Sequence, residues 1–206
     1  MLSERCDALA ATWEIWAATL RDLPDGAWQL PTRLGDWDVA SLVAHHSMFP
    51  GGLTRLVTQR ADGPPTMTSA VALLRYFNQP DGLATTKSGA VADQARTVSE
   101  QLPHAAVIER FERDGPTAIA TIRAAGPIVI DYFGHATIPL AEALAVAVLE
   151  ATVHLLDLQR ALGQPPAAPP AALAEVAALL AAVADPVAVI EAASGRTTTN
   201  PFPVIR

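Results

Sequence analysis

Along most of the chain, apolar positions recur three or four residues apart. Between residues 2 and 23 they are Leu9, Trp13, Trp16 and Leu20, which predicts an amphipathic first helix with Ser3 as N-cap and Pro24 as its end. The next stretch sets Pro24, Gly26, Pro31 and Gly35 around Trp28 and Trp37. It reads as a structured loop that turns its indoles back onto the core. Asp38 can cap a second helix running to about Gln59, with Val39, Leu42, Val43, His46 and Phe49 near one stripe and Gly51 and Gly52 loosening its middle. Residues 61 to 90 are rich in turn signals, hold one short helix at 68 to 77, and are expected to cover one end of the bundle. A third long helix is expected from Ser88 to Arg123, broken or kinked near Pro103 and again near Gly115 and Pro116, where Pro116 could equally start a new helical piece. The β-branched and aromatic cluster from Ile128 to Phe133, followed by Gly134, predicts a short hairpin or extended connector. The helix from Pro139 to Leu162 then ends at Gly163, and the stiff linker GQPPAAPP leads to an Ala-rich helix at 171 to 184. A last short helix reaches about Ala193.

No compositional break divides the 206 residues, so one domain spans 1–206, with its core in 1–163 and a C-terminal helical extension in 164–206. Half of the residues are hydrophobic but only 5% aromatic, with Ala and Leu prominent, and that bias selects an all-α class. The net charge of −7, with Lys and Arg scattered singly, provides no footprint for nucleic acid or for an anionic membrane. Cys6 is the single cysteine, which excludes an internal disulfide framework and fits a reducing compartment. The charged start MLSERCD lacks the apolar core of a secretory signal, and Glu175 and Pro186 limit the longest apolar stretch. A cytoplasmic protein is therefore expected. An exposed apolar face on the helix at 171 to 184 would permit a homodimer.

Chemistry concentrates on the helix from Pro139 to Leu162. Glu150 and His154 are one turn apart and project within about 40° of each other, and Asp157 extends the line by another turn. A carboxylate and an imidazole at this spacing can reach one divalent ion. The second helix adds His45 and His46, which diverge by about 100°, so only one of them can face a shared site. Two histidines and one carboxylate would leave coordination positions open on Zn²⁺, Ni²⁺ or Fe²⁺, the arrangement of a catalytic metal. Asp157 is placed to orient a ligand from behind. Cys6 has no electropositive setting that would activate it. His104 and His135, next to Pro103 and Gly134, are expected to face solvent.

The run Trp28, Pro31, Thr32, Gly35, Trp37, Val39, Leu42, Val43, Ala44, His45, together with the later E-x-x-x-H-x-x-D-L-x-R-A-L-G from Glu150 to Gly163, resembles the mycothiol-dependent maleylpyruvate isomerase N-terminal domain family, within the DinB-like metalloenzyme superfamily. The resemblance implies a four-helix bundle with a metal between helices, held by His45, Glu150 and His154, His46 being the alternative if the register shifts by one. It implies a metal-dependent enzyme, zinc first among the metals, that uses mycothiol or a similar small thiol for isomerisation or S-transfer on a small electrophile. A metal-dependent hydrolase and a metal-free binding domain are the rival readings. Thr32, Arg33 and Arg160 are conceivable neighbours of the site, the two arginines as thiol-binding candidates. Many relatives carry an Arg three residues before the triad Glu, where this chain has Ala147, so the anion-binding or structural role expected there is missing. Maleylpyruvate isomerases also carry a C-terminal domain for substrate handling, in whose place a short helical extension is expected here.

Overall fold

In the computed structural model, which describes residues 1–197 and 199–205, the first apolar stripe becomes α1, Leu2–Arg21, with Leu9, Trp13, Trp16 and Leu20 all buried. The helix begins before the expected Ser3 cap. Met1 stands at the N-cap, its ammonium pairs with Glu4 at 2.7 Å, and no side chain caps the turn. A carboxylate in the first turn already answers the positive end of the helix, which leaves no need for a hydroxyl there.

Asp38 caps the second helix as expected, accepting the Ser41 N–H at 2.8 Å. That helix does not run unbroken to Gln59, however. It divides into α2, Val39–Ser47, and α3, Phe49–Leu56. Pro50 has no N–H to return to the His46 carbonyl, and Met48 N–H bonds to the His45 carbonyl instead, so the regular ladder is interrupted at Met48. Next come α4, Ala70–Phe77, capped by Ser69, and α5, Leu83–Thr86, a single turn within the segment read as loop.

The expected third helix becomes α6, Ser88–Gln101, α7, His104–Glu109, and α8, Gly115–Ala125. The break at Pro103 is present. Near Pro116 the regular ladder is interrupted by a π turn at Arg110–Asp114, and α8 starts with Pro116 in its first turn: Gly115 N–H reaches the Arg110 carbonyl, and Pro116, with no N–H, follows without losing a bond. The hairpin pairs β1, Val129–Asp131, with β2, Thr137–Pro139, in antiparallel register, Ile130 opposite Ile138. The chain at 59–61 extends its edge through bonds from Asp131 N to the Gln59 carbonyl (2.7 Å) and from Ala61 N to the Val129 carbonyl (3.0 Å). Then follow α9, Leu140–Ala161, α10, Pro170–Val183, and α11, Pro186–Ala193, the last capped by Asp185.

The result is the expected all-α bundle. Its columns are α1, α2 with α3, α7 with α8, and α9. Bonds from Arg5 to Glu142 and from Trp16 to the Ala151 carbonyl set α9 parallel to α1. The pairs Arg21–Glu112 and Arg123–Asp7 set α8 antiparallel to α1. α6 lies outside against α2, while α4 and α10 pack on α9 and each other. α10 turns Ala172, Val176 and Leu179 into the core and leaves Leu173 on its outer side 41% exposed. Among the described residues no single helix is long and apolar enough to cross a membrane.

Candidate metal centre

The loop before α2 sets the site's first wall. Thr32 bonds to the Trp37 carbonyl through both its N–H (2.9 Å) and its hydroxyl (2.7 Å), closing the turn that carries Arg33. Trp28 is buried and stacks on His104 with ring centroids 3.7 Å apart. His104 is therefore not the solvent-facing residue expected after Pro103: burying a large indole favours a flat partner over water. Trp37 is only half-buried and meets the His45 ring edge-on at 5.2 Å. His135, in its turn, is exposed as expected.

His45, near the end of α2, faces α9. One ligand atom each from His45, Glu150 and His154 lie within 4.8 Å of one another. His154 Nε2 is 3.4 Å from Glu150 Oε2, while His154 Nδ1 is 3.2 Å from Asp157 Oδ2. Asp157 is only 2% exposed, and its Oδ1 accepts the Arg33 Nε–H at 2.5 Å. The helical line of Glu150, His154 and Asp157 is thus a relay: the buried carboxylate fixes one ring nitrogen and turns the other toward Glu150 and His45.

Burial lowers the basicity of His45 to a pKa of about 4, and the neighbouring His154 adds to the effect. Burial also works against His154, but hydrogen bonds to Asp157 and Glu150 outweigh it and raise its pKa to about 9. For Glu150 and Asp157, burial opposes ionisation, and His154 outweighs it, helped by Arg33 at Asp157, so both carboxyls titrate below their usual range.

His46 has a different place. It is fully buried, its Nε2 accepts the Trp13 indole N–H at 3.2 Å, and its ring stacks on Trp16 at 4.8 Å. Its Nδ1 has no hydrogen-bond partner among the described residues, and burial holds the ring neutral. The lone pair a metal would need is already taken by Trp13, so His46 supports the cluster from below. Arg33 binds Asp157 and is otherwise exposed, and Arg160 is exposed on the last turn of α9.

The donor set fits a divalent ion. Two ligands about 2.1 Å from one tetrahedral ion lie about 3.4 Å apart, and His154 Nε2 and Glu150 Oε2 have that separation. The buried Nδ1 of His45 has no hydrogen-bond partner among the described residues. A cavity of about 270 Å³ opens beside the cluster, with His45, Tyr132, Ala143 and Ala147 in its wall. Ala147 therefore leaves room in the cavity where a larger side chain would fill it. Arg55, Tyr132 and Trp13 are site features that sequence reasoning did not single out: two arrive from α3 and the hairpin, and the third reads as ordinary core. A larger cavity of about 680 Å³ between α1 and α8 is lined by none of His45, Glu150 and His154.

Residues 9–159 match the family model of the mycothiol maleylpyruvate isomerase N-terminal domain. Two solved structures share the fold: the mycothiol-dependent maleylpyruvate isomerase, with a TM-score of 0.60, and a histidine-to-alanine mutant of that enzyme, with a TM-score of 0.59. In each case identity is 16%, and the match covers 87% of this chain and 69% of the other. No curated protein sequence matches the chain.

Proposed function

This chain belongs to the mycothiol maleylpyruvate isomerase N-terminal domain family, and from that membership we propose a thiol-dependent isomerase or S-transferase acting on a small electrophile, with a divalent metal held by His45, Glu150 and His154. Zinc is the first expectation, and nickel or iron would suit the same donors. One observation carries the reading: three donors of the right chemistry converge from two helices beside a cavity, with a buried carboxylate ordering the second histidine. The buried Cys6 is consistent with a cytoplasmic setting and with a thiol supplied by a second molecule rather than by this chain.

A bound divalent ion would favour the thiolate of a small thiol whose ordinary pKa is about 8.5, making a nucleophile available at neutral pH. The chain's own residues do the rest. His45 is neutral at pH 7, so its lone pair is free. Asp157 accepts a hydrogen bond from His154 Nδ1–H and so fixes the tautomer that presents Nε2 to Glu150 and His45. His154 itself and then Arg33 outweigh burial and keep Asp157 ionised, which holds that tautomer in place. Apolar cavity walls, including Leu53, Ala143 and Ala147, exclude water from the reacting atoms. The Tyr132 hydroxyl makes no hydrogen bond among the described residues and can donate to an oxygen of the bound electrophile.

The test is elemental analysis of protein purified without chelators, paired with thiol-dependent turnover. Wild type should carry close to one equivalent of a transition metal, and His154→Ala should lose it along with at least about a hundredfold of activity while keeping its helical circular dichroism. A metal-free wild type, or His154→Ala with full metal content, would overturn the assignment. Turnover that ignores added mycothiol would instead identify water as the nucleophile and a hydrolase as the function.

A further inference from the structure

Gly51 and Gly52 sit in the first turn and a half of α3, where a helix is weakened by glycine relative to alanine. Nothing in the fold requires them. Neither has a positive φ, and a Cβ built on either would meet nothing within 4 Å. The space above them belongs to a second cavity, about 450 Å³, lined by Ser47, Gly51, Arg110 and Asp114. It shares Met48, Gly52 and Arg55 with the wall of the 270 Å³ cavity beside the metal cluster. Arg55 makes no side-chain hydrogen bond or ion pair among the described residues, so nothing holds it across the junction. The far wall is the π turn at Arg110–Asp114, which aims Arg110 at the Ser47 hydroxyl (3.2 Å).

We propose that the two cavities form one cleft in which the outer part, over Gly51 and Gly52, holds the polyhydroxylated tail of the thiol cosubstrate, while the inner part takes its sulfur and the electrophile. This rests on the thiol-dependent function argued above. The chemistry of the lining selects the occupant. The inner wall is mostly apolar and touches His45, which suits a small reacting group. The outer wall offers donors from Arg55 and Arg110 and an acceptor in Asp114, one of whose contacts is Arg113 Nε at 3.0 Å, while the Ser47 hydroxyl donates to the Ala44 carbonyl and anchors Arg110. Mixed donors and acceptors match hydroxyl groups, which need both, whereas a purely cationic wall would suit an anion. Mycothiol carries its cysteinyl thiol on a glucosamine–inositol unit and has this division. The two cavities together reach the range of roughly 300–1,000 Å³ typical of ligand sites. Bare glycine backbone lets the sugar approach the helix closely.

The experiment measures calorimetric binding of mycothiol, and of N-acetylcysteine as the same thiol without the sugar, to zinc-loaded wild type, Gly51→Ala and Gly51→Leu. Both substitutions face open space on a helix, so they fold. Wild type should bind mycothiol at least about tenfold more tightly than N-acetylcysteine. Gly51→Leu should abolish that advantage and leave N-acetylcysteine within about twofold of wild type, with Gly51→Ala between the two. If wild type binds the two thiols equally, or Gly51→Leu weakens both alike or neither, the placement of the tail is overturned and the thiol-dependent function stands. If neither thiol binds zinc-loaded wild type, the function itself fails, and the placement with it.

Discussion

His154 sits between two carboxylates, and that position ties its proton to the stability of the metal-free fold. Its folded pKa of about 9 lies above the unfolded value of about 6.5. The stabilisation is therefore fully present below pH 6.5 and is lost as pH rises through about 9. The shift corresponds to the order of 3 kcal/mol, so metal-free protein should lose about that much unfolding free energy between pH 6.5 and pH 9.5. Urea titrations across that window check it, and Asp157→Asn, which removes one of the two partners, should flatten the slope. His45 acts with the opposite sign. Its folded pKa of about 4 lies below the unfolded value, so its contribution is present above about pH 6.5 and falls away as pH drops toward 4. Metal uptake should accordingly release a proton from His154 at neutral pH and tighten as pH rises toward 9, which calorimetry in buffers of different ionisation enthalpy detects. Glu150, His154 and Asp157 were readable from the sequence because one unbroken helix carries them, and its periodicity alone puts them in line. Which of two adjacent histidines joins them was not decided by periodicity. That depends on Trp13, thirty-three positions from His46, whose indole N–H occupies the His46 nitrogen.

Between helices, the site's walls come from elements whose geometry departs from regular periodicity, which is why they were less legible. A helix read as continuous to Gln59 gives no reason to single out Arg55. The interruption at Met48 and Pro50 decides which way α3 faces. The hairpin was legible as a hairpin, from its β-branched cluster and Gly134, but not as a cavity wall. Its tip holds Phe133 at φ 57, a left-handed conformation that bulky residues disfavour, with the ring 60% exposed and still lining the cavity beside His45. Asp131 holds the tip by accepting the Gly134 N–H at 2.7 Å. A residue strained and exposed at once points to a role outside packing. Phe133→Asn, which tolerates this conformation, should raise stability by about 0.5–1 kcal/mol in denaturant unfolding and weaken electrophile binding, seen as a higher KM at unchanged metal content. If stability falls instead, the ring contributes more to packing than to the cleft.

Across the whole molecule, α9 separates the work of holding the fold from the work of the site. Near its start, the partly buried Arg5 guanidinium bonds to Glu142 Oε1 (2.7 Å), the Ala141 carbonyl (2.8 Å) and Glu175 Oε1 (2.7 Å), while Glu142 Oε2 accepts the Ala70 N–H (2.9 Å). One ionic knot thus joins α1, α4, α9 and α10. The cluster begins at Glu150, about 12 Å further along the helix axis. Arg5 is only 12% exposed and Glu142 15%, so removing the guanidinium strands a carboxylate in a poorly solvated place. Arg5→Met should therefore cost about 3–5 kcal/mol of unfolding free energy, and adding Glu142→Gln should recover a large part of it, because the penalty is the unpaired charge rather than the lost pair. Both variants should keep wild-type metal content. Loss of metal in Arg5→Met at temperatures where the helices remain folded would mean that the two ends of α9 are coupled, and that the extension made by α10 tunes the site as well as the fold.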